Sequence, residues 1–181
     1  MKKLNHLSVA IFYLLFAIWI ITLGHKDAVS MGSNHIANNT NEISGIAKVS
    51  DGDTIKIDEK RIRLIEIDAP ETSQMCFDAD YNEYSCGKIS KEFMINLAEN
   101  KEVKCYYDKL DRYQRYLAKC YVGDKNINAE MVKNGMAVTY FFGPKNEEMV
   151  KMEEEAKEKN LGIWQGAFQL PKDYRRANKH K

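Results

Sequence analysis

The stretch Asp51-Gly52-Asp53-Thr54-Ile55-Lys56-Ile57-Asp58-Glu59-Lys60-Arg61-Ile62-Arg63-Leu64-Ile65-Glu66-Ile67-Asp68-Ala69-Pro70-Glu71 decides the fold. Apolar residues recur in two runs, Ile55 and Ile57 on the first and Ile62, Leu64, Ile65 and Ile67 on the second, with Asp58-Glu59-Lys60 as turn residues between them. Two short paired strands place Asp53 near the start of the first and Asp68 near the end of the second. In an antiparallel hairpin those ends are neighbours. Carboxylates so placed repel unless a cation lies between them. Oxygen ligands without nitrogen or sulfur suit a hard ion, magnesium or calcium, and one calcium ion is the expectation. With Arg63 alongside, and Pro70 fixing the backbone before Glu71, the stretch points to metal-dependent chemistry on phosphate. Taken alone, Asp-Gly-Asp is more often a simple turn, and Arg63 a surface strand residue.

The rest of the chain favours the chemical reading. All four histidines, His6, His25, His35 and His180, fall in the terminal segments. A histidine-bound zinc or a histidine base in the folded part is therefore not expected, and the chemistry falls to carboxylates and arginines. A second arginine cluster follows in Asp111-Arg112-Tyr113-Gln114-Arg115-Tyr116, and Gly162-Ile163-Trp164 follows a charged helix. In combination these motifs resemble the thermonuclease, or staphylococcal-nuclease-like, family of secreted calcium-dependent nucleases, over roughly Ile43 to Trp164.

The resemblance implies a fold and a set of roles. The fold is an OB-fold, a five-stranded β-barrel with about three helices, of α+β type. Asp53 and Asp68 match the calcium carboxylates, the backbone carbonyl of Ala69 a further oxygen ligand, and Asp51 an acid behind them. Glu71 matches the residue that activates the attacking water, and Arg63 and Arg115 the pair that grips the phosphate. A planar guanidinium bonds two phosphate oxygens at once, so lysine is a poor substitute at either position. Tyr113, Tyr140 and Phe142 match positions lying against the nucleotide, where stacking tolerates a change of aromatic. One residue departs from the pattern: Gln114 stands where the family usually has glycine. If that position needs positive φ, glutamine strains the loop and can displace Arg115.

Outside these motifs the chain reads as one exported domain. Lys2 and Lys3 precede an uncharged apolar run from Leu7 to Gly24, whose 18 residues span about 27 Å as a helix. Residues 1–24 are therefore a signal peptide or a signal-anchor helix, and Ala28-Val29-Ser30 offers a cleavage site. Either way the domain is expected in the periplasm or outside the cell, held to the membrane by residues 7–24 if uncleaved. A polar linker covers residues 25–42, the domain 43–168, and a basic tail with Lys172, Arg175, Arg176, Lys179 and Lys181 covers 169–181. Of 27 basic and 26 acidic residues, three and one lie in the first thirty, which leaves 24 and 25 and a net charge of −1. Strong non-specific holding of nucleic acid is not expected from that balance, although a turnover enzyme needs only a local cationic site.

Four cysteines in an exported segment read as disulfides, since no Cys-x-x-Cys suggests zinc and export disfavours free thiols. Val103-Lys104-Cys105-Tyr106-Tyr107 and Leu117-Ala118-Lys119-Cys120-Tyr121 look like two strands joined by the arginine loop, so that residues summing to 225 face each other, Cys105 and Cys120 among them. Cys76 and Cys86 then close the polar loop after Glu71. Helices are expected over Lys88–Glu99, Ala129–Asn134 and Glu147–Lys159, the last capped by Asn146.

These readings lead to a monomeric, exported, calcium-dependent nuclease acting on DNA and RNA with little sequence preference. The alternatives are an inactive OB-fold module that binds single strands or a protein partner, and a structural envelope protein. Neither needs Asp53, Asp68, Glu71, Arg63 and Arg115 together.

Overall fold

A computed structural model of the chain describes residues 41–179. The expected apolar helix within 1–24 and most of the linker lie outside the described residues, among which no helix is long and apolar enough to cross a membrane. Strand β1 (Asn41–Asp51) turns at Gly52-Asp53 into β2 (Thr54–Ile57), which pairs with β3 (Lys60–Leu64). The 11-residue β1 serves two partners: Ala47 to Asp51 pair with β2, and Asn41 to Ile46 with β7 (Glu102–Leu110). Asn41 and Glu42, expected in the linker, thus belong to the sheet. The switch of partner falls next to Gly45, at φ 155°, where a Cβ would press into the Ile57 side chain; glycine lets the strand bend around the core.

Strand β7 pairs antiparallel with β8 (Tyr116–Val122), and β8 pairs parallel with β3, closing a five-stranded barrel of OB type. Closure leaves these five strands no long free edge. The β7–β8 register places Cys105 opposite Cys120 and Tyr107 opposite Ala118, before slipping by one residue between Tyr107 and Lys109. A disulfide joins Cys105 to Cys120 and another joins Cys76 to Cys86. Inside the barrel lie Ile55, Ile57, Ile62, Leu64 and Val103, all fully buried, each contributing about 1.5–3 kcal/mol by leaving water.

The second apolar run does not continue as one strand. At Glu66 the backbone turns to φ 66°, and Glu66–Asp68 leaves the barrel as β4, pairing with β10 (Val138–Tyr140). The sequence marks the break, because Leu64 and Ile65 are consecutive and spoil the two-residue alternation. The Ile65 carbonyl accepts instead from Nδ2 of Asn128 at 2.9 Å. Asn128 is buried and also bonds the Cys120 N–H and the Ala118 carbonyl, so one amide fastens the break to the barrel wall.

Two short strands, β5 (Cys76–Phe77) and β6 (Glu83–Tyr84), form a small hairpin ahead of α1 (Cys86–Ala98), which packs on β1. Strand β9 (Lys125–Asn126) leads into α2 (Ile127–Lys133), begun by the Asn126 side chain on the Ala129 N–H. Helix α3 (Glu147–Glu158) packs against α2 and is capped by Asn146, whose side-chain oxygen takes the N–H groups of Glu148 and Met149. A 3₁₀ turn (Gly162–Gln165) follows, and a fourth helix, α4 (Pro171–Ala177), stands in the segment expected to be a basic tail. Pro171 opens α4, a position where its missing N–H has no partner to lose. Among the described residues, four helices accompany the barrel, where about three were expected. A satellite cluster of Cys76, Cys86, Val138 and Ile163, with Trp164 and Phe168 against it, sits under the β5–β6 loop.

Replacing both Cys105 and Cys120 by alanine is expected to lower the unfolding free energy by about 2–4 kcal/mol, the range for losing a crosslink over a loop of this size. Urea unfolding of the two proteins, oxidised, measures the difference.

Candidate active site

The barrel turn between β1 and β2 delivers Asp53, and the end of β4 delivers Asp68. Both are buried, at 4 % and 0 % exposure. They meet through Arg63, which stands opposite Thr54 on β3 and reaches both carboxylates: Nη1 pairs with Asp53 Oδ1, and Nη2 donates to Asp68 Oδ1 at 2.7 Å. Asp53 also accepts from the Thr54 hydroxyl at 3.0 Å and, through Oδ2, from the Ala69 N–H at 3.1 Å. The two acids are therefore adjacent as expected, by a different route: β4 crosses to β10, and Arg63 and the Ala69 amide bridge the gap. Burial pushes the Asp53 carboxyl above the ordinary aspartate range, with Asp68 and Asp51 adding to the shift; Arg63 and the Ala69 N–H oppose it. Ionised Asp53 thus needs its cation.

Glu71 sits on the loop after Pro70, and four contacts hold that loop. The Gln74 N–H donates to the Glu71 carbonyl at 2.7 Å, and the Glu71 N–H to Gln74 Oε1 at 3.3 Å. Gln74 is wholly buried and donates through Nε2 to the Gln169 carbonyl at 2.6 Å. The Thr72 hydroxyl donates to Asp51 Oδ1 at 2.8 Å, linking the loop to the β1–β2 turn. On the other side Gly87 lies so close that any Cβ would overlap the Glu71 carbonyl, so only glycine fits. The neighbouring Cys76–Cys86 bond ties the far end of the loop to the start of α1.

Arg115 lies on the turn between β7 and β8, and its guanidinium is engaged locally. Nε and Nη2 donate to Asp111 Oδ2 at 2.8 and 2.7 Å, while Asp111 Oδ1 takes the N–H groups of Tyr113 and Arg115. These bonds outweigh partial burial and hold the Asp111 carboxyl below the ordinary range. Tyr113 is 58 % exposed and carries Arg112 and Arg115 over its ring at 4.8 and 5.5 Å. Gln114 has φ 60°, the left-handed conformation that its place in this three-residue turn requires. Arg115 nevertheless keeps its bonds. Tyr140 and Phe142 meet edge to face at 4.8 Å, with Phe142 85 % exposed. The structure thus joins Asp53, Asp68, Glu71 and Arg63 into one constellation with Asp51 behind it, holds Arg115 and Tyr113 on the β7–β8 turn, and places Tyr140 at the end of β10 with Phe142 just after it.

One member of the constellation comes from the segment read as a tail. Arg175 on α4 donates from Nη1 to Asp68 Oδ1 at 2.9 Å and to Glu71 Oε1 at 2.8 Å, and from Nη2 to Asp68 Oδ2 at 3.0 Å. Burial works against its charge, but the hydrogen bonds and charges of Asp68 and Glu71 prevail and raise its pKa. Thr72, Gln74 and Asp111 complete the supporting set. No local pattern announces Arg175, or the tie from Gln74 to α4, since these partners lie 95 to 107 residues away.

The donor set suits a hard cation. Two buried carboxylates share positive partners, with the Ala69 backbone beside them, and oxygen donors of this kind suit a hard ion. Among the described residues, no group of three or more His, Cys, Asp or Glu side chains is gathered in metal-holding geometry. In this arrangement guanidinium groups neutralise the acids.

The chain is also similar in sequence to known proteins. The sequence profile of the family described as Staphylococcal nuclease homologue matches residues 61–166. A protein of Haemophilus influenzae named "Uncharacterized endonuclease" is 36% identical over 140 residues, 74% of this chain and 73% of its own length. "Succinoglycan biosynthesis protein ExoI" of Rhizobium meliloti is 34% identical over 132 residues, covering 72% and 69%. The thermonuclease of Staphylococcus intermedius is 34% identical over 129 residues, covering 66% and 74%.

Because Gln114 occupies a left-handed position, Gln114→Gly is expected to stabilise the protein by about 0.5–1 kcal/mol, relief of strain exceeding the added freedom of the unfolded chain. Denaturant titration checks the sign; a loss of stability would show that glutamine is not strained there.

Proposed function

The chain belongs to the staphylococcal nuclease family, and from that membership we propose that it is an exported, calcium-dependent nuclease that hydrolyses phosphodiester bonds in DNA and RNA. The observation that carries the reading is the convergence of Asp53, Asp68, Arg63 and Glu71 on one site from three separate segments. A site of that composition fits in-line attack on phosphorus. Calcium, when bound to Asp53, Asp68 and the Ala69 carbonyl, supplies positive charge for the phosphate oxygens.

The residues of the chain do the rest. Glu71 accepts a proton from water as the water oxygen bonds to phosphorus; the opposite phosphorus–oxygen bond breaks, and the departing oxygen takes up a proton from solvent. Charge grows on the equatorial oxygens during that exchange. Arg63, turned from its carboxylates, and Arg115, released from Asp111, each present a planar pair of N–H donors to it. Tyr113 and Phe142 offer exposed ring surface to bases, with the half-buried Tyr140 beside Phe142, and stacking on aromatic faces asks little of sequence. A net charge near zero suits turnover, because product is not held by long-range attraction. Two disulfides and the apolar run before residue 25 support export. In the same reading the run stays in the membrane if uncleaved.

The test is cleavage of single-stranded DNA, double-stranded DNA and RNA by the oxidised protein, with calcium and with chelator. Glu71→Ala is expected to lower the calcium-dependent rate by roughly a hundredfold or more, the range for losing a positioned general base. Unchanged cleavage by that variant contradicts the assignment of Glu71, and absence of cleavage by the folded parent contradicts the enzyme.

A further inference from the structure

Helix α4 is fastened over the Glu71 loop at three places. The Gln169 carbonyl, just before it, takes the Gln74 amide. The Tyr174 hydroxyl bonds Ser73, at its carbonyl and its hydroxyl, each 3.2 Å away. Arg175, the next residue, passes into the carboxylate site and bonds Asp68 through both oxygens and Glu71 through one. Asp68 thereby accepts three guanidinium bonds: Oδ1 receives both Arg63 and Arg175, and Oδ2 receives Arg175. Nothing in the role assigned to a base at Glu71 calls for a guanidinium on its oxygen. The guanidinium instead stands against one of the two oxygens with which Glu71 would meet a water.

We propose that Arg175 is a built-in counter-cation for the metal site, so that α4 is a latch: closed, it neutralises Asp68 and covers Glu71; a divalent cation binding at Asp68 expels it. The inference rests on the calcium reading above and adds to it a competitor within the chain. Like charges drive the exchange, since a guanidinium and a divalent ion on one buried carboxylate repel strongly. Two of the three bonds from Arg175 go to Asp68, the proposed metal ligand, and the third to Glu71, the proposed base. A single displacement therefore couples metal binding to release of the base. The latch is built to move: α4 is seven residues long, its remaining ion pair, Arg176 with Asp173, is internal and exposed, and the Tyr174 hydroxyl bonds lie at the surface.

Two measurements on the full, oxidised chain test the latch without reference to cleavage. Calcium titration calorimetry is expected to give Arg175→Gln about tenfold tighter binding than the parent, as a charge-assisted competitor is removed. Arg175→Lys, a point charge without the two-pronged geometry, is expected to fall between them. In the parent, amide exchange over residues 171–177 is expected to speed up several-fold on adding calcium. Equal or weaker calcium binding by Arg175→Gln, or exchange over 171–177 that calcium leaves unchanged or slows, overturns the latch while calcium binding stands. No calcium binding by any of the three proteins overturns the metal reading, and the latch falls with it.

Discussion

The Arg63 guanidinium, held between Asp53 and Asp68, is the interaction on which the site depends. It draws together the start of β2 and the end of β4, two segments that the barrel itself sends to different sheets. Without a cation there, two buried carboxylates face each other, and burial already disfavours the charge of Asp53. Removing one partner from such a buried pair typically destabilises by about 3–5 kcal/mol, because the remaining charge is left uncompensated. The same bond orients the first hairpin toward the Ala69 amide and, through Pro70, toward Glu71. Under the proposed function, stability and chemistry are therefore carried by one side chain.

Around that centre the protein balances charge locally. Arg63 answers Asp53 and Asp68, Arg175 answers Asp68 and Glu71, and Arg115 answers Asp111. Each of these three guanidinium groups is already paired with a carboxylate. Under the proposed function, substrate binding is an exchange of partners between anions, with a smaller energetic cost than desolvating free ions. The overall charge near zero conceals this arrangement, since what matters is where the arginines stand.

Much of the fold was legible because its signals are local. Strand alternation placed Cys105 against Cys120 in the observed register, and Asn146 marked the start of α3 by a side-chain bond made within three residues. Asp-Gly-Asp-Thr and Ala-Pro-Glu gave the positions of the acids. The break at Glu66 was half legible: the Leu64-Ile65 doublet signals a lost alternation, but the stabilising partner is Asn128, 63 residues on from Ile65. Helix α4 was missed because a short basic segment has the composition of a solvated terminus, and its docking depends on Gln74, Ser73, Asp68 and Glu71, nearly a hundred residues earlier. Gln114 raised the opposite problem, since its backbone adopts the predicted left-handed conformation and Asp111 still holds Arg115 in place.

The central claim is that the carboxylates bridged by Arg63 form a calcium site serving phosphodiester hydrolysis. A crystal structure of the oxidised protein grown in calcium tests it most directly. The account predicts one calcium ion against Asp53 and Asp68, with Arg63 turned toward the side where a phosphate binds. Carboxylates still bridged by Arg63, with no ion at a calcium concentration that supports cleavage, would contradict it.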